Sequence, residues 1–398
     1  MTHAHNHRIL TINSGSSSVK VAVFLMGTKE TRTLVGHIER IGLRGGHFQI
    51  KDGDGQVLVE KHAELPDHAT ALKIVLTWLH KQKQGLNAVG HRLVHGGQHY
   101  TKPQLITPTM EKALARLKRL DPDHLPHELE AIKTVRRSYP HLKQFACFDT
   151  AFHRSMPQVA QMFPLTRNLW RAGVRRFGFH GLSYEFIMHE PARVAGAKTA
   201  NRRVIIAHLG SGASMAAVAG RKSLDTTMGF TPTGGLMMST RSGDLDPSVI
   251  LYLLEGEGQS TSTVNDLVNR RSGLLGVSGI SSDMRDLFAK KAGKLHAAEA
   301  IALFCYQTRK SLGALTAVLG GLDTLIFTAG IGEHMPSIRW RICEGMEFLG
   351  IRLDSLRNEH HAAIISRDDS PVTVRVMKTD EELMIARHTH HLIRSQRK

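Results

Sequence analysis

The chain has 398 residues, 41% of them hydrophobic and 22% charged. That length exceeds one typical core, so two globular domains are expected, and its three scattered cysteines (Cys147, Cys305, Cys343) exclude a disulfide framework or a thiolate metal cage and suit a reducing cytoplasm. The formal net charge of +17 comes from dispersed lysines and arginines with no nucleic-acid-binding module, so it reads as a surface that attracts small anionic substrates rather than nucleic acid.

In chain order, Met1–His7 has no apolar stretch of the kind a secretory leader needs. Strands are predicted over Ile9–Ile12 and Val19–Phe24, joined by Asn13-Ser14-Gly15-Ser16-Ser17-Ser18. Gly15 lets the backbone approach an anion closely, the serines offer hydroxyl donors, and Lys20 offers a point charge. The turn is not a Walker A loop, because Val19 and not glycine precedes the lysine, and it lacks the third glycine of a dinucleotide fingerprint. It reads either as an anion cradle or as a plain Ser-rich hairpin. A strand over Val35–Ile38 and a helix over Ala69–Lys83 follow, then a strand over Ala88–Leu93 that runs into "HRLVHGG". Arg92 thus sits near a strand end, where a guanidinium can hold a carboxylate or phosphate through two parallel hydrogen bonds, or serve in a surface ion pair. Helices over Met110–Leu120 and Pro126–Ser138 lead to a strand over Gln144–Phe148 that ends in Asp149. A carboxylate at the carboxyl end of a strand lies where α/β proteins place ligands. His180, among the aromatics and glycines of "RRFGFHGLSY", reads either as a functional group or as a hydrogen-bonded core histidine.

The second half starts over. Strands over Val204–His208 and Met215–Val218 flank another Gly-Ser turn, and "HLGSGASMAAV" from His208 echoes "NSGSSSVKVAV" from Asn13. The echo points to two copies of one fold, each opening on a phosphate-sized turn. Arg241 follows in the turn-rich loop "MMSTRSGDLDP". Helices over Pro247–Leu254 and Ala297–Leu319 come next; the apolar run of the latter carries Gln307, Arg309 and Lys310, so it reads as a core helix and not a membrane span. A strand over Thr324–Phe327, the turn Phe327–Glu333 and a helix over Ser337–Leu349 form a nucleotide seat at a helix N-terminus, or a simple strand-to-helix connection. In "KTDEELMIARH", Thr379 with Glu382 reads as the capping box of a helix over Asp380–Leu392, leaving Glu381 for Mg²⁺, which takes one or two protein carboxylates plus phosphate oxygens and waters. The alternation throughout gives α/β, with helices on both faces of its sheets.

The segments "INSGSSSVK", "HRLVHGG", "FDTAFH", "RRFGFHG", "HLGSGAS", "DTTMGFTPTGGLMMSTRSGDLDP", "GISSDMRDL", "FTAGIGE" and "DEELMIAR" resemble, in the same order and over nearly the whole chain, the acetate kinase family and its short-chain acyl relatives. The resemblance implies the actin-like sugar-kinase fold, with two duplicated ribonuclease-H-like domains around a cleft. The first would be 1–150 completed by the helix 380–398, the second the nucleotide-binding 151–379. It implies reversible, direct in-line transfer of the ATP γ-phosphate to acetate, with Mg²⁺ or Mn²⁺, by a cytoplasmic homodimer. The alternatives are a propionate or longer-chain kinase and a non-kinase actin-like ATPase.

Carried onto this sequence, the family pattern assigns Asn13 and Glu381 to the metal and Ser16, Ser18 and Lys20 to phosphate. Arg92 would bind the substrate carboxylate, with Val94, Phe179 and Pro232 walling the acyl group. Asp149, His124, His180 and Arg241 would be catalytic. His208, Leu209, Gly210, Ser211, Gly212, Asp283, Met284, Arg285, Gly330, Ile331, Gly332, Glu333 and His334 would seat the nucleotide. A carboxylate substrate is already ionised at neutral pH, since carboxyl pKa values lie near ~4. It needs charge neutralisation rather than a base, so Asp149 is expected to orient an arginine or the substrate. The sequence departs from the pattern at Ser211, where the family has Asn, at Asp123-His124-Leu125-Pro126 in place of "LHNP", and at Leu182 and Tyr184 in place of Thr and His.

Overall fold

The computed structural model describes residues 6–82, 85–195 and 202–396. Met1–His5, the predicted helix end Lys83 and residues 397–398 lie outside the described residues. The chain divides into two units, Met1–Ala151 with Asp380–Lys398, and Phe152–Thr379.

In the first unit, β1 (His7–Ser14), β2 (Ser18–Met26), β3 (Glu30–Glu39), β4 (Gly46–Asp52), β5 (Val57–Ala63), β6 (Ala88–Leu93), β7 (Gln104–Leu105) and β8 (Lys143–Phe148) form a sheet in the order β5-β4-β3-β2-β1-β6-β8-β7. Strands β1 to β5 pair as an antiparallel meander, whereas β1, β6 and β8 run parallel. The two-residue period of a strand sorts their side chains. Leu10, Ile12, Val19 and Val21 join one core with Leu72, Val75 and Leu76 of the helix His68–Lys81 and Val135 of the helix Leu125–Ser138. Ile9, Ala22, Phe24, Ala88 and Phe145 join the opposite core with Ala386 and Ile393 of the helix Glu381–Ser395. The last helix of the chain therefore completes the first unit. Gly90 permits its approach, because a Cβ there would stand 2.3 Å from Thr389 Oγ1 and 2.5 Å from Ile385 Cγ2.

Parity also decides which polar side chains meet that helix. Asn13 shares a face with Ile9, Lys20 with Ala22, and Arg92 with Ala88, while Asp149 follows directly on β8. Lys20, set in an apolar run, is nonetheless exposed, because it lies on this face at the open end of β2.

In the second unit, β9 (Val204–Leu209), β10 (Ala213–Ala219), β11 (Lys222–Thr226), β12 (Thr324–Thr328) and β13 (Thr373–Val376) are ordered β11-β10-β9-β12-β13. Strands β9, β10 and β11 are antiparallel, and β9, β12 and β13 are parallel. This repeats the β3-β2-β1-β6-β8 part of the first sheet, so the two echoing turns occupy the same topological place. The helix Leu295–Leu319 buries Ile301, Phe304 and Leu312. No described helix is long and apolar enough to cross a membrane.

Several predicted elements are corrected. The last helix is capped by Asp380, whose carboxylate accepts the Leu383 N–H, so Thr379 and Glu382 form no capping box. Asp380 is one residue nearer the first turn and outcompetes the threonine. The helix predicted over Met110–Leu120 is Pro108–Arg116 with a 3-10 turn, Leu117–Arg119. The one predicted over Pro247–Leu254 ends at Leu251 and passes into a π turn, Tyr252–Gly256. The one predicted over Ser337–Leu349 is Pro336–Cys343, and a separate 3-10 turn, Glu347–Leu349, follows Gly345 at positive φ. Residues Gly330–His334 lie within a short helix, Ala329–His334, and not in an open loop. Strands β4, β5, β7, β11 and β13 were not expected; β5 is mostly exposed and β7 and β13 are short, so their apolar patterns are weak.

Candidate active site

On the first unit the structure brings together Asn13, Arg92, Asp149 and Glu381, residues from both ends of the chain. Arg92 Nε and Nη2 both donate to Asp149 Oδ2, at 3.1 and 2.6 Å, and Nη1 donates to Asn13 Oδ1 at 3.0 Å. Asn13 Nδ2 donates in turn to Glu381 Oε2 at 3.0 Å and to Glu382 Oε1 at 3.2 Å. Glu381 lies 3.7 Å from Arg92 as an ion pair. Burial works against the Arg92 charge, but Asp149 and Glu381 outweigh it and hold the guanidinium firmly protonated. Burial raises the Asp149 carboxyl, with Arg92 opposing it, and the buried Asp149 Oδ1 has no hydrogen-bond partner. Burial and the neighbouring Glu381 likewise raise Glu382.

Around this group the turn Gly15–Ser18 is pinned on both sides. The Gly15 N–H donates to the Ser18 carbonyl at 2.8 Å, and His68 Nε2 donates to the Gly15 carbonyl at 2.8 Å. His68 stacks on His127, ring centroids 4.0 Å apart. Ser16 is exposed and Ser18 half-buried. His124 stands at the N-cap position of the helix Leu125–Ser138, with Nδ1 2.8 Å from Asp121 Oδ1. Val94 is buried, and its N–H donates to both oxygens of the buried Glu128, each at 3.1 Å. Burial, reinforced by Asp121, pushes the Glu128 carboxyl well above the usual range.

On the second unit the site residues gather around the turn Gly210–Gly212. His180 has a positive φ of 58°, an uncommon conformation for a residue with a side chain, just before the helix Gly181–Ala195. Its Nδ1 lies 2.8 Å from Ser214 Oγ, and the ring stacks on His208 at 4.1 Å between centroids. Tyr184 Oη meets the same Ser214 Oγ at 2.5 Å, and His208 Nδ1 lies 2.8 Å from Ser183 Oγ. A Cβ on Gly212 would stand 3.2 Å from His180 Nε2 and 3.6 Å from Arg241 Nη1, so those groups flank bare backbone. Arg241 Nη1 also donates to the Pro232 carbonyl at 3.1 Å. Phe179 and Pro232 are buried here, and Leu209 closes β9.

The helix Ala329–His334 follows β12, and Glu333 Oε1 accepts the Ala329 N–H at 2.8 Å. Gly330 and Ile331 lie inside this helix. The fully buried Arg339 donates through Nη1 to the carbonyls of Gly332 (2.9 Å) and Glu333 (3.0 Å). Burial depresses its guanidinium to about 10. Asp283 caps the helix Met284–Lys290 and pairs with Arg285 at 2.6 Å, and that hydrogen bond lowers its carboxyl; Met284 is buried.

Among the described residues no set of three His, Cys, Asp or Glu side chains is arranged to cage a metal. Glu381 and the partnerless oxygen of Asp149 form a sparse carboxylate set of the kind Mg²⁺ takes when phosphate oxygens and water complete its shell. Sequence reasoning missed Asp121, Glu128, Glu382, His68, Ser214 and Arg339. Asp121 stands three residues before His124 in the turn that leads into the helix Leu125–Ser138, and Glu128 lies in that helix's first turn.

Comparison with known proteins agrees over almost the full chain. The model of the "Acetokinase family" matches residues 8–387. An acetate kinase of Rhodopseudomonas palustris is 46% identical over 392 residues, covering 96% of this chain and 98% of that one. The crystal structure of Porphyromonas gingivalis acetate kinase superposes with a TM-score of 0.86 at 38% identity, covering 97% of this chain and all of that one. A propionate kinase from Francisella tularensis superposes with a TM-score of 0.90 at 33% identity, with 97% of this chain covered and all of that one.

Proposed function

The chain belongs to the acetokinase family, has its actin-like fold, and we propose on that premise how its residues divide the work of phosphorylating acetate with ATP. The reaction moves the γ-phosphoryl group directly between two anions, giving acetyl phosphate and ADP, and runs both ways. The observation that carries the assignment is Arg92, held rigid by Asp149 and Asn13 at the carboxyl end of β6. A guanidinium fixed in plane can take a carboxylate with matched geometry. Asp149 orients that guanidinium and takes no proton from the substrate, because the acid is already ionised. Arg241 and His180, both against the bare backbone of Gly212, stabilise the charge that spreads over the equatorial phosphoryl oxygens.

Lys20, Ser16 and Ser18 serve the phosphates. His208–Gly212, Asp283–Arg285 and Gly330–His334 serve the nucleotide, with Arg339 bracing the last of these. Val94, Phe179 and Pro232 wall the acyl group, and His124 donates to the anionic oxygens. Glu381 would hold Mg²⁺, with Asn13 orienting it; the ion neutralises phosphate charge when bound. Mn²⁺ satisfies the same donors.

A homodimer is part of this reading. Leu245 (44% exposed), Val249 (42%), Leu251 (54%) and Tyr252 (60%) lie exposed in one short stretch, a concentration that favours a protein partner. A cytoplasmic site is supported by the buried thiols of Cys147, Cys305 and Cys343. The decisive experiment incubates the protein with ATP, Mg²⁺ and acetate, propionate or butyrate and traps acyl phosphate with hydroxylamine. Hydroxamate from acetate at the highest kcat/KM is expected. A better yield from propionate would transfer the reading to that acid, and none from any acid would overturn it.

A further inference from the structure

We propose that Asp121 is a positioning residue for His124, the two forming a buried carboxylate–imidazole dyad that fixes the His124 ring for contact with substrate oxygens. This rests on the reading of His124 as an active-site residue. Asp121 is 2% exposed, and its Oδ1 lies 2.8 Å from His124 Nδ1. An ionised carboxylate only accepts, so the contact places a proton on Nδ1. The backbone reinforces the aim: the Asp121 carbonyl accepts the Leu125 N–H at 3.3 Å, and the His124 carbonyl accepts the Glu128 N–H at 3.0 Å. His124 stands at the N-cap position without making a side-chain capping bond, so the ring is not spent on the helix.

The second Asp121 oxygen, Oδ2, is buried and has no hydrogen-bond partner. A carboxylate with one oxygen unsatisfied is costly to bury, which makes the remaining contact with the imidazole the more expensive to lose. The charged and titratable groups around it are Asp123, His127 and Glu128 on its own segment, His68 on the helix His68–Lys81, and Arg92 and Asp149 at the ends of β6 and β8.

The test uses the full-length protein. Wild type should show a downfield Nδ1 proton in its NMR spectrum that disappears in Asp121→Asn and in His124→Ala. Asp121→Asn should lower kcat about 10–100-fold, the usual loss when the group that orients a functional imidazole is removed. The double variant should be no slower than His124→Ala alone. Asp121→Glu, which restores the carboxylate, should recover part of the rate and separates positioning from misfolding. Wild type without the downfield proton, or Asp121→Asn with wild-type kcat, would overturn the dyad. His124→Ala with wild-type kcat would instead overturn the active-site reading of His124, whatever the NMR shows.

Discussion

The turns Asn13–Lys20 and His208–Ser214 are built on one plan and do different work. Each joins the first two strands of its sheet, and each begins on a polar residue at a strand end. In the first, Asn13 pairs across the hairpin with Lys20; in the second, His208 pairs with Ser214, because that turn is shorter by one residue. The lost residue replaces a mobile cation with a hydroxyl that fixes His180 and Tyr184. Around the first turn the groups are charged side chains gathered from distant segments: Arg92, Asp149, Glu381 and Glu382. Around the second they are glycine backbone, stacked imidazoles and Arg241. In the proposed reading the first unit would handle a substrate charge with a prearranged ion network, and the second would approach phosphate with bare backbone.

The two arginines break or sharpen that contrast most strongly. Arg241→Ala should lower kcat by about 10³–10⁵, the range for an arginine that stabilises a transferring phosphoryl group. A steady-state assay that finds kcat near wild type would remove Arg241 from the chemistry. Arg92→Ala should act differently. It raises the KM for acetate about 10–100-fold, through loss of a charged hydrogen bond. It should also destabilise the fold by ~3–5 kcal/mol in urea melts, because Asp149 is left as a buried unpaired charge. Arg92→Lys should restore stability better than KM, since an ammonium keeps the charge and not the fork. Equal loss of stability in the Ala variants of both arginines would erase the distinction between ion network and backbone seat.

That distinction was partly legible in the sequence. Alternation along β1, β2, β6 and β8 puts Asn13, Lys20, Arg92 and Asp149 at one end of one sheet face once Ile9, Ala22, Ala88 and Phe145 are known to be buried together. The echo at His208 marked the second turn without long-range information. Glu128 was invisible because its burial answers a tertiary need, an acceptor for the Val94 N–H, that no local pattern announces. Arg339 was invisible for the same reason: a buried arginine that braces carbonyls reads in sequence as a surface residue of an amphipathic helix. The capping error at Thr379 shows local competition between neighbouring candidates, which only the geometry of Asp380 resolves.

Acid tests whether the two units share a weakness beneath their different sites. His91, against Gln144 in the first unit, and His153, against Ser223 and the Phe179 carbonyl in the second, are fully buried and pushed down by burial to about 4. An unfolded histidine titrates near ~6.5, so from there down to about 4 the unfolded chain binds protons that the folded chain refuses. Stability is therefore present above the unfolded value and lost as pH falls, by roughly 3 kcal/mol per histidine by pH 4. The raised carboxyls of Asp149 and Glu128 work in the opposite sense, since the cost of burying their charge is relieved on protonation. Urea melts from pH 7 to pH 4.5 should show His91→Gln and His153→Gln each flattening the slope by about 1.4 kcal/mol per pH unit. An unchanged slope in either variant would show that the ring in question is not held neutral.

The smallest expected effect lies in the second turn itself, at Ser211. Its side chain is exposed and its carbonyl accepts the Ser239 N–H at 3.1 Å, so the backbone there is fixed independently of the side chain. Ser211→Asn should therefore leave folding and the KM for acetate unchanged. The longer amide adds donors beside the backbone proposed to face the nucleotide, and one neutral hydrogen bond is worth about 1 kcal/mol. The KM for ATP should fall by about fivefold with kcat constant, which corresponds to that energy. Isothermal titration of ATP against both proteins separates this from any change in turnover. A loss of kcat on adding the amide would mean that the turn meets the transferring phosphoryl group through side chains after all, and the backbone reading of the second unit would then have to give way.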